Sequence, residues 1–122
     1  MRRLLPMMAA MTAAGAIGGA TAAAQDKGAA AAATAELYRA KCAQCHMPEG
    51  NSPLEPLNFT DDRWTHGAKP GEVARVIAEG VTGTAMLGFK AQLTPKQVAD
   101  LAAYVRAFDK SLKAGKGKAG RR

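Results

Sequence analysis

Cysteine and histidine are scarce in this chain: two of each in 122 residues, with a single tryptophan. Two thiols exclude any disulfide framework beyond one bridge between Cys42 and Cys45. A structural zinc site usually takes four ligands. Here it would need Cys42, Cys45, His46 and His66 together, with three of them crowded into five residues. His66 is the only histidine outside that cluster, so no acid–base pair suggests an enzyme. Acid is absent from residues 110–122, which carry six lysines and arginines, three glycines and little apolar content. That segment reads as a basic disordered tail. It also explains the formal charge of +7. Without the tail and without Arg2 and Arg3, residues 25–109 hold nine basic and ten acidic side chains, formally −1. The high isoelectric point is therefore no argument for nucleic-acid binding.

A long hydrophobic run is missing too. Residues 4–23 are rich in Ala, Met and Gly, poor in leucine, and broken by Pro6, Thr12, Gly15, Gly18 and Gly19. That composition argues against a membrane anchor. Arg2 and Arg3 before it and Ala22-Ala23-Ala24 after it complete a three-part secretory signal. Residues 1–24 are expected to be a signal peptide cut before Gln25; a twin-arginine export signal is the weaker reading. Export places the mature chain in a bacterial periplasm.

What is present is concentrated in Cys42-Ala43-Gln44-Cys45-His46. This is the spacing for covalent attachment of a c-type haem. Each thiol can add across one vinyl group and form a thioether, and one helical turn presents both sulfurs to the same edge of the macrocycle. His46 then supplies the proximal iron ligand.

Around that motif the chain divides simply. Residues 25–33 read as a flexible linker that alanine could draw into the first helix. Order is expected from Thr34, where Leu37, Tyr38, Cys42 and Cys45 share one helical face. Residues 47–62 form a loop containing Pro48, Pro53 and Pro56. Phe59 and Trp64 are its large apolar side chains and are expected against the cofactor. The Trp64 N–H needs an acceptor, either a haem propionate or a group of the protein core. A second helix is predicted over 69–79, with Pro70 in its first turn, a stripe of Val73, Val76 and Ile77, and Gly80 as its stop. A second loop, 81–93, holds Met86 between Gly83 and Gly88. The last helix is predicted over 95–109. Thr94 and Gln97 are placed as a capping box and Leu93 and Val98 as a hydrophobic staple, and Val98, Leu101, Ala102, Val105 and Phe108 are its buried stripe. The ordered core, about 75 residues, is small for a purely apolar interior, so folding is expected to lean on the haem.

The sixth iron ligand has two candidates, His66 and Met86. Met47 is too close to His46 to reach the opposite face, and the remaining methionines lie in the signal peptide. Taken in order, Tyr38, the haem motif, Trp64, Ile77-Ala78-Glu79-Gly80, Gly83-Thr84-Ala85-Met86-Leu87-Gly88-Phe89 and Leu101-Ala102-Ala103-Tyr104-Val105 resemble a class I monohaem cytochrome c over residues 34–109. The resemblance implies a compact all-α fold of three main helices and loops around one covalent haem. Its terminal helices would cross near Tyr38, Leu101 and Tyr104. It implies iron ligation by His46 and Met86, and a proline carbonyl, Pro53 or else Pro56, accepting from His46 Nδ1. It implies electron transfer rather than catalysis, between a donor dehydrogenase or reductase and an acceptor oxidase or reductase. A free monomeric carrier is the first expectation and a dedicated subunit of one oxidoreductase the alternative. A gas sensor or enzyme with a displaceable Met86 ranks below both. The tail could add transient contact with a membrane surface.

Overall fold

The computed structural model describes residues 19–113. The structure is helical: α1 (Gly19–Lys41), α2 (Ala43–His46), a 3₁₀ turn (Glu55–Leu57), α3 (Pro70–Glu79), α4 (Pro95–Arg106) and α5 (Lys110–Lys113). No strand occurs among the described residues; one isolated bridge joins Gly80 and Leu87. Among those residues, no helix is long and apolar enough to cross a membrane.

α1 runs through the expected linker. Residues 25–33 are helical and every one of their side chains is exposed. The physical reason is the alanine run at 29–33, because alanine is the strongest helix former. Among the residues of the helix whose burial is described, Thr34 is the first buried one. Of the expected signal peptide, residues 1–18 lie outside the described residues and 19–24 form the first turns of α1.

α3 starts at Pro70, where a missing N–H costs nothing, and Glu72 accepts from the Lys69 N–H at 3.1 Å. It stops at Gly80, whose φ of +75° favours glycine. α4 is capped as its sequence predicts: Gln97 N–H donates to Thr94 Oγ1 at 3.2 Å, and Thr94 N–H donates to Gln97 Oε1 at 2.9 Å. Leu93 and Val98 are both buried beside this cap.

The far end of α4 is shorter than expected. Phe108 and Asp109 donate to the carbonyls of Val105 and Arg106. These i→i+3 bonds tighten the chain and end the helix at Arg106. Asp109 then accepts from the Ser111 N–H at 2.8 Å and opens α5. The first residues of the expected tail, 110–113, are therefore helical, and the rest of it lies outside the described residues.

Tyr38, Val73, Ile77, Leu93, Val98, Leu101, Ala102 and Val105 form one buried cluster. α4 sits at its centre, packed on α3 on one side and crossed by α1 on the other. At the crossing the rings of Tyr38 and Tyr104 lie 5.1 Å apart and tilted, and Phe108 is 5.5 Å from Tyr38. This is the contact expected from the sequence. It fixes the end of α1, and hence Cys42, against the C-terminal part of α4.

Candidate functional site

The Cys42–His46 segment is the junction of α1 and α2. Cys42 N–H still donates to the Tyr38 carbonyl at 2.9 Å, so the first thiol sits on the last turn of α1. Cys45 and His46 lie on the single turn of α2. Both thiols are free, Cys42 half-buried and Cys45 exposed. Burial pushes the Cys42 thiol up, with Lys41 opposing.

His46 is half-buried, and its Nδ1 lies 2.8 Å from the Leu57 carbonyl. A carbonyl only accepts, so Nδ1 carries the proton and Nε2 keeps its lone pair. Burial lowers the His46 pKa, with the Leu57 hydrogen bond opposing, and the ring stays neutral. A neutral imidazole with an oriented N–H and a free Nε2 is the form that ligates metal. The expected acceptor, Pro53, is not used, nor is Pro56. The 3₁₀ turn folds back on itself through Leu57 N–H to Leu54 and Asn58 N–H to Glu55, which leaves the Leu57 carbonyl to meet the imidazole.

A row of rings continues from His46. Phe59 stacks on the imidazole at 4.2 Å and 18°, and Trp64 lies against Phe59 at 5.7 Å and 13°. The Trp64 indole N–H donates to Asp109 Oδ2 at 2.9 Å. Its acceptor in the structure is thus a protein carboxylate, the core option of the two. Behind His46 the backbone is unusual: Met47 has φ +65°, rare for a residue with a side chain. Its carbonyl accepts from the fully buried Tyr38 hydroxyl at 2.6 Å.

Met86 is half-buried on the loop between α3 and α4. Its carbonyl accepts from Val81 N–H at 2.9 Å, and its own N–H donates to Thr84 Oγ1 at 3.1 Å. His66, the other candidate ligand, opens onto a cleft beside α3 with Arg75, Glu79 and Val81. Among the described residues no three of His, Cys, Asp and Glu are grouped to hold an ion, so the four-residue zinc set is not assembled.

The donor set fits a c-type haem: two free thiols at a helix junction, an oriented imidazole with Nε2 available, and a thioether on a separate loop. Leu54 and Leu87, on the loops that carry Leu57 and Met86, expose 61% and 72% of their surface. Exposed large apolar side chains of this kind suit the rim of an apolar ligand.

Sequence reasoning missed Leu57, Asp109 and Thr84. Leu57 acts through its main chain and leaves no trace in residue type. Asp109 could have been found as an Asp placed to cap a following turn. Thr84 could have been found as a short hydroxyl side chain in a tight loop.

Comparison with known proteins agrees with this chemistry. Residues 29–105 match the family described as Cytochrome C oxidase, cbb3-type, subunit III. The cbb3-type cytochrome c oxidase subunit FixP of Sinorhizobium medicae (strain WSM419) is 36% identical over 87 residues, 65% of this chain and 30% of that one. Cytochrome c6 of Limnospira maxima is 38% identical over 78 residues, 61% of this chain and 88% of that one. The solved structure of the KustC0563 c-type cytochrome superposes with a TM-score of 0.53 at 32% identity, over 63% of this chain and 98% of that one. The chain thus spans less than a third of the FixP subunit and most of cytochrome c6.

Proposed function

The chain belongs to the family described as Cytochrome C oxidase, cbb3-type, subunit III, as a small class I monohaem cytochrome c carrying covalent haem c, and we propose that it is an exported one-electron carrier. Bound haem c supplies reversible exchange of one electron between ferric and ferrous iron. We assign Cys42 and Cys45 to the two thioethers and His46 and Met86 to the axial positions.

The observation that carries this reading is the His46 Nδ1 contact with the Leu57 carbonyl, beside two free thiols. It fixes the tautomer and aims Nε2 away from the 3₁₀ turn. Phe59 covers one face of the ring, with Trp64 behind it, which limits rotation of the imidazole. The Met86 thioether, as the second side chain holding the iron, would favour the ferrous state and raise the potential. With His46 and Met86 both committed to the iron, the haem would supply outer-sphere electron exchange and would leave no position for a substrate. The role is electron transfer rather than catalysis, and the location is the periplasm.

A second reading, a dedicated electron-transfer subunit of one oxidase, is favoured by the FixP similarity. The near-complete coverage of cytochrome c6 favours the free carrier. The testing experiment is a reduced-minus-oxidised spectrum of the purified protein with and without carbon monoxide. A low-spin c-type spectrum that carbon monoxide leaves unchanged is expected. A high-spin iron that binds carbon monoxide at once would overturn the carrier role. Co-purification with a single oxidase would select the subunit reading.

A further inference from the structure

The loop that carries Met86 is fastened to α3 in a way that residue types alone do not reveal. An α-helix leaves its last four carbonyls without partners inside the helix. In α3 these belong to Val76, Ile77, Ala78 and Glu79. Gly80 N–H donates to Val76 at 2.8 Å as the helix stops. Phe89 N–H then donates to Ile77 at 3.0 Å and Lys90 N–H to Ala78 at 3.1 Å. The chain leaving the Met86 loop therefore supplies partners that the helix end lacks. Inside the loop, Val81 N–H donates to Met86 O at 2.9 Å and closes a short antiparallel bridge.

Such a close approach is open only to glycine. A Cβ on Gly88 would lie 2.4 Å from the Ala78 carbonyl oxygen and 2.6 Å from the Glu79 carbonyl carbon. A Cβ on Gly80 would lie 2.5 Å from the Met86 carbonyl oxygen, and φ there is +75°. These neighbours are backbone and cannot swing aside. Thr82, in the same loop, is exposed and stands outside these bonds. Thr84 adds a side-chain tie: Oγ1 donates to the Val81 carbonyl at 2.8 Å and accepts from Met86 N–H.

We infer that Gly80, Gly88 and Thr84 form a clasp that positions Met86 for ligation and so decides whether the sixth iron position stays closed to small ligands. The inference rests on the proposed ligation by Met86. The three are positioning residues and need not touch the cofactor. Residues 82–85 of the loop are exposed, so α3's end and the Thr84 ties are what hold Met86 to one place. A loosened clasp leaves the thioether present but less often in position.

The test compares holoprotein variants Gly88→Ala, Thr84→Val, Thr82→Ala and Met86→Ala. The readouts are the red-region sulfur-to-iron absorption of the ferric form and carbon monoxide affinity of the ferrous form, with far-ultraviolet circular dichroism as the check on folding. Met86→Ala sets the limit, with the band lost and carbon monoxide bound. Gly88→Ala is expected to weaken the band and raise carbon monoxide affinity about tenfold, in proportion to the open fraction. Thr84→Val adds no bulk and gives a smaller rise in the same direction. Thr82→Ala, an exposed change in the same loop that touches none of these ties, keeps the wild-type band. The clasp is overturned if Gly88→Ala, or Thr84→Val should the former not fold, matches wild type while Met86→Ala does not. It is also overturned if Thr82→Ala loosens the site as much as Gly88→Ala. A Met86→Ala protein that keeps the band and excludes carbon monoxide removes the ligand assignment itself, and the clasp with it.

Discussion

Trp64 donates its indole N–H to Asp109 at 2.9 Å, across 45 residues of sequence. Asp109 is 2% exposed and also caps α5 through the Ser111 N–H. Burial alone would push its carboxyl up, but the hydrogen bonds from Ser111, Trp64 and Leu112 outweigh that and hold it below the usual carboxylate range. One side chain thus ties the end of α4, the start of α5 and the aromatic row that ends on His46.

The linkage has a sign that can be tested. A carboxyl with a lowered native pKa contributes stability that is full above its unfolded value, about 3.9, and is lost as pH falls through the native value. Asp109→Ala leaves the Trp64 N–H without its partner, at a cost of about 1–3 kcal/mol at neutral pH. Asp109→Asn keeps an oxygen for the indole and should cost less. Urea melts at pH 7 and pH 3 check this. The gap between wild type and Asp109→Asn should be wide at pH 7 and narrow at pH 3. A gap independent of pH would show that the carboxylate charge is not involved.

The Tyr38 hydroxyl reaches the Met47 carbonyl at 2.6 Å from a fully buried ring, and burial first of all raises its pKa far above the usual tyrosine range, so it remains a donor. Tyr38→Phe keeps the ring contact with Tyr104 and removes only this bond. A cost of about 1–2 kcal/mol is expected, because the carbonyl stays partly buried without its partner. Tyr104→Ala removes ring packing instead and should cost about 3 kcal/mol, the lower end for a truncated aromatic. Thermal melts rank the two. Because Met47 follows His46 directly, Tyr38→Phe should also perturb the haem spectrum more than Tyr104→Ala. The reverse order would mean that the Met47 backbone is held by other contacts.

Covalent attachment is checked at the thiols. Cys42→Ala should lose one thioether and core packing with it, because Cys42 lies on α1's last turn and packs against the core. Cys45 is exposed, so Cys45→Ala should fold at least as well as Cys42→Ala and keep a single bond to the haem. Mass spectrometry and pyridine haemochrome spectra distinguish one bond from none. A folded, helical double mutant with its full melting temperature would show that the core does not depend on the haem.

Much of this was readable from side-chain types. Thr94 and Gln97 announce the start of α4 because both make their cap bonds through side chains, and Gly80 announces the end of α3 because its φ requires glycine. The crossing at Tyr38 and Tyr104 is what the family resemblance implied, and the two rings meet there. What sequence hid was main-chain chemistry and distant pairing. The Leu57 carbonyl faces His46 because a 3₁₀ turn aims it there, so proline content misled toward Pro53. Trp64 and Asp109 are each ordinary alone, and only the tertiary fold makes them a pair. The alanine run at 29–33 obeyed local propensity where composition suggested a linker.

The basic end of the chain gives the last prediction. α5 accounts for Lys110 and Lys113, and residues 114–122 carry four further lysines and arginines with no acid. Residues 25–109 are formally −1, so the six charges of 110–122 make that end of the sequence basic. Charges there can speed capture of an acidic redox partner, an effect screened within about 8–10 Å at ordinary salt. Truncation after Lys113 keeps Asp109, Ser111 and the Trp64 bond intact. The truncated protein should therefore keep its potential, spectrum and melting temperature. Its electron transfer to an acidic partner should be slower at low salt, and the difference should close as salt rises. Stopped-flow rates across a salt series measure this. Equal rates for both forms at every salt concentration would show that residues 114–122 take no part in encounter, and a shifted potential would show that they contact the haem site.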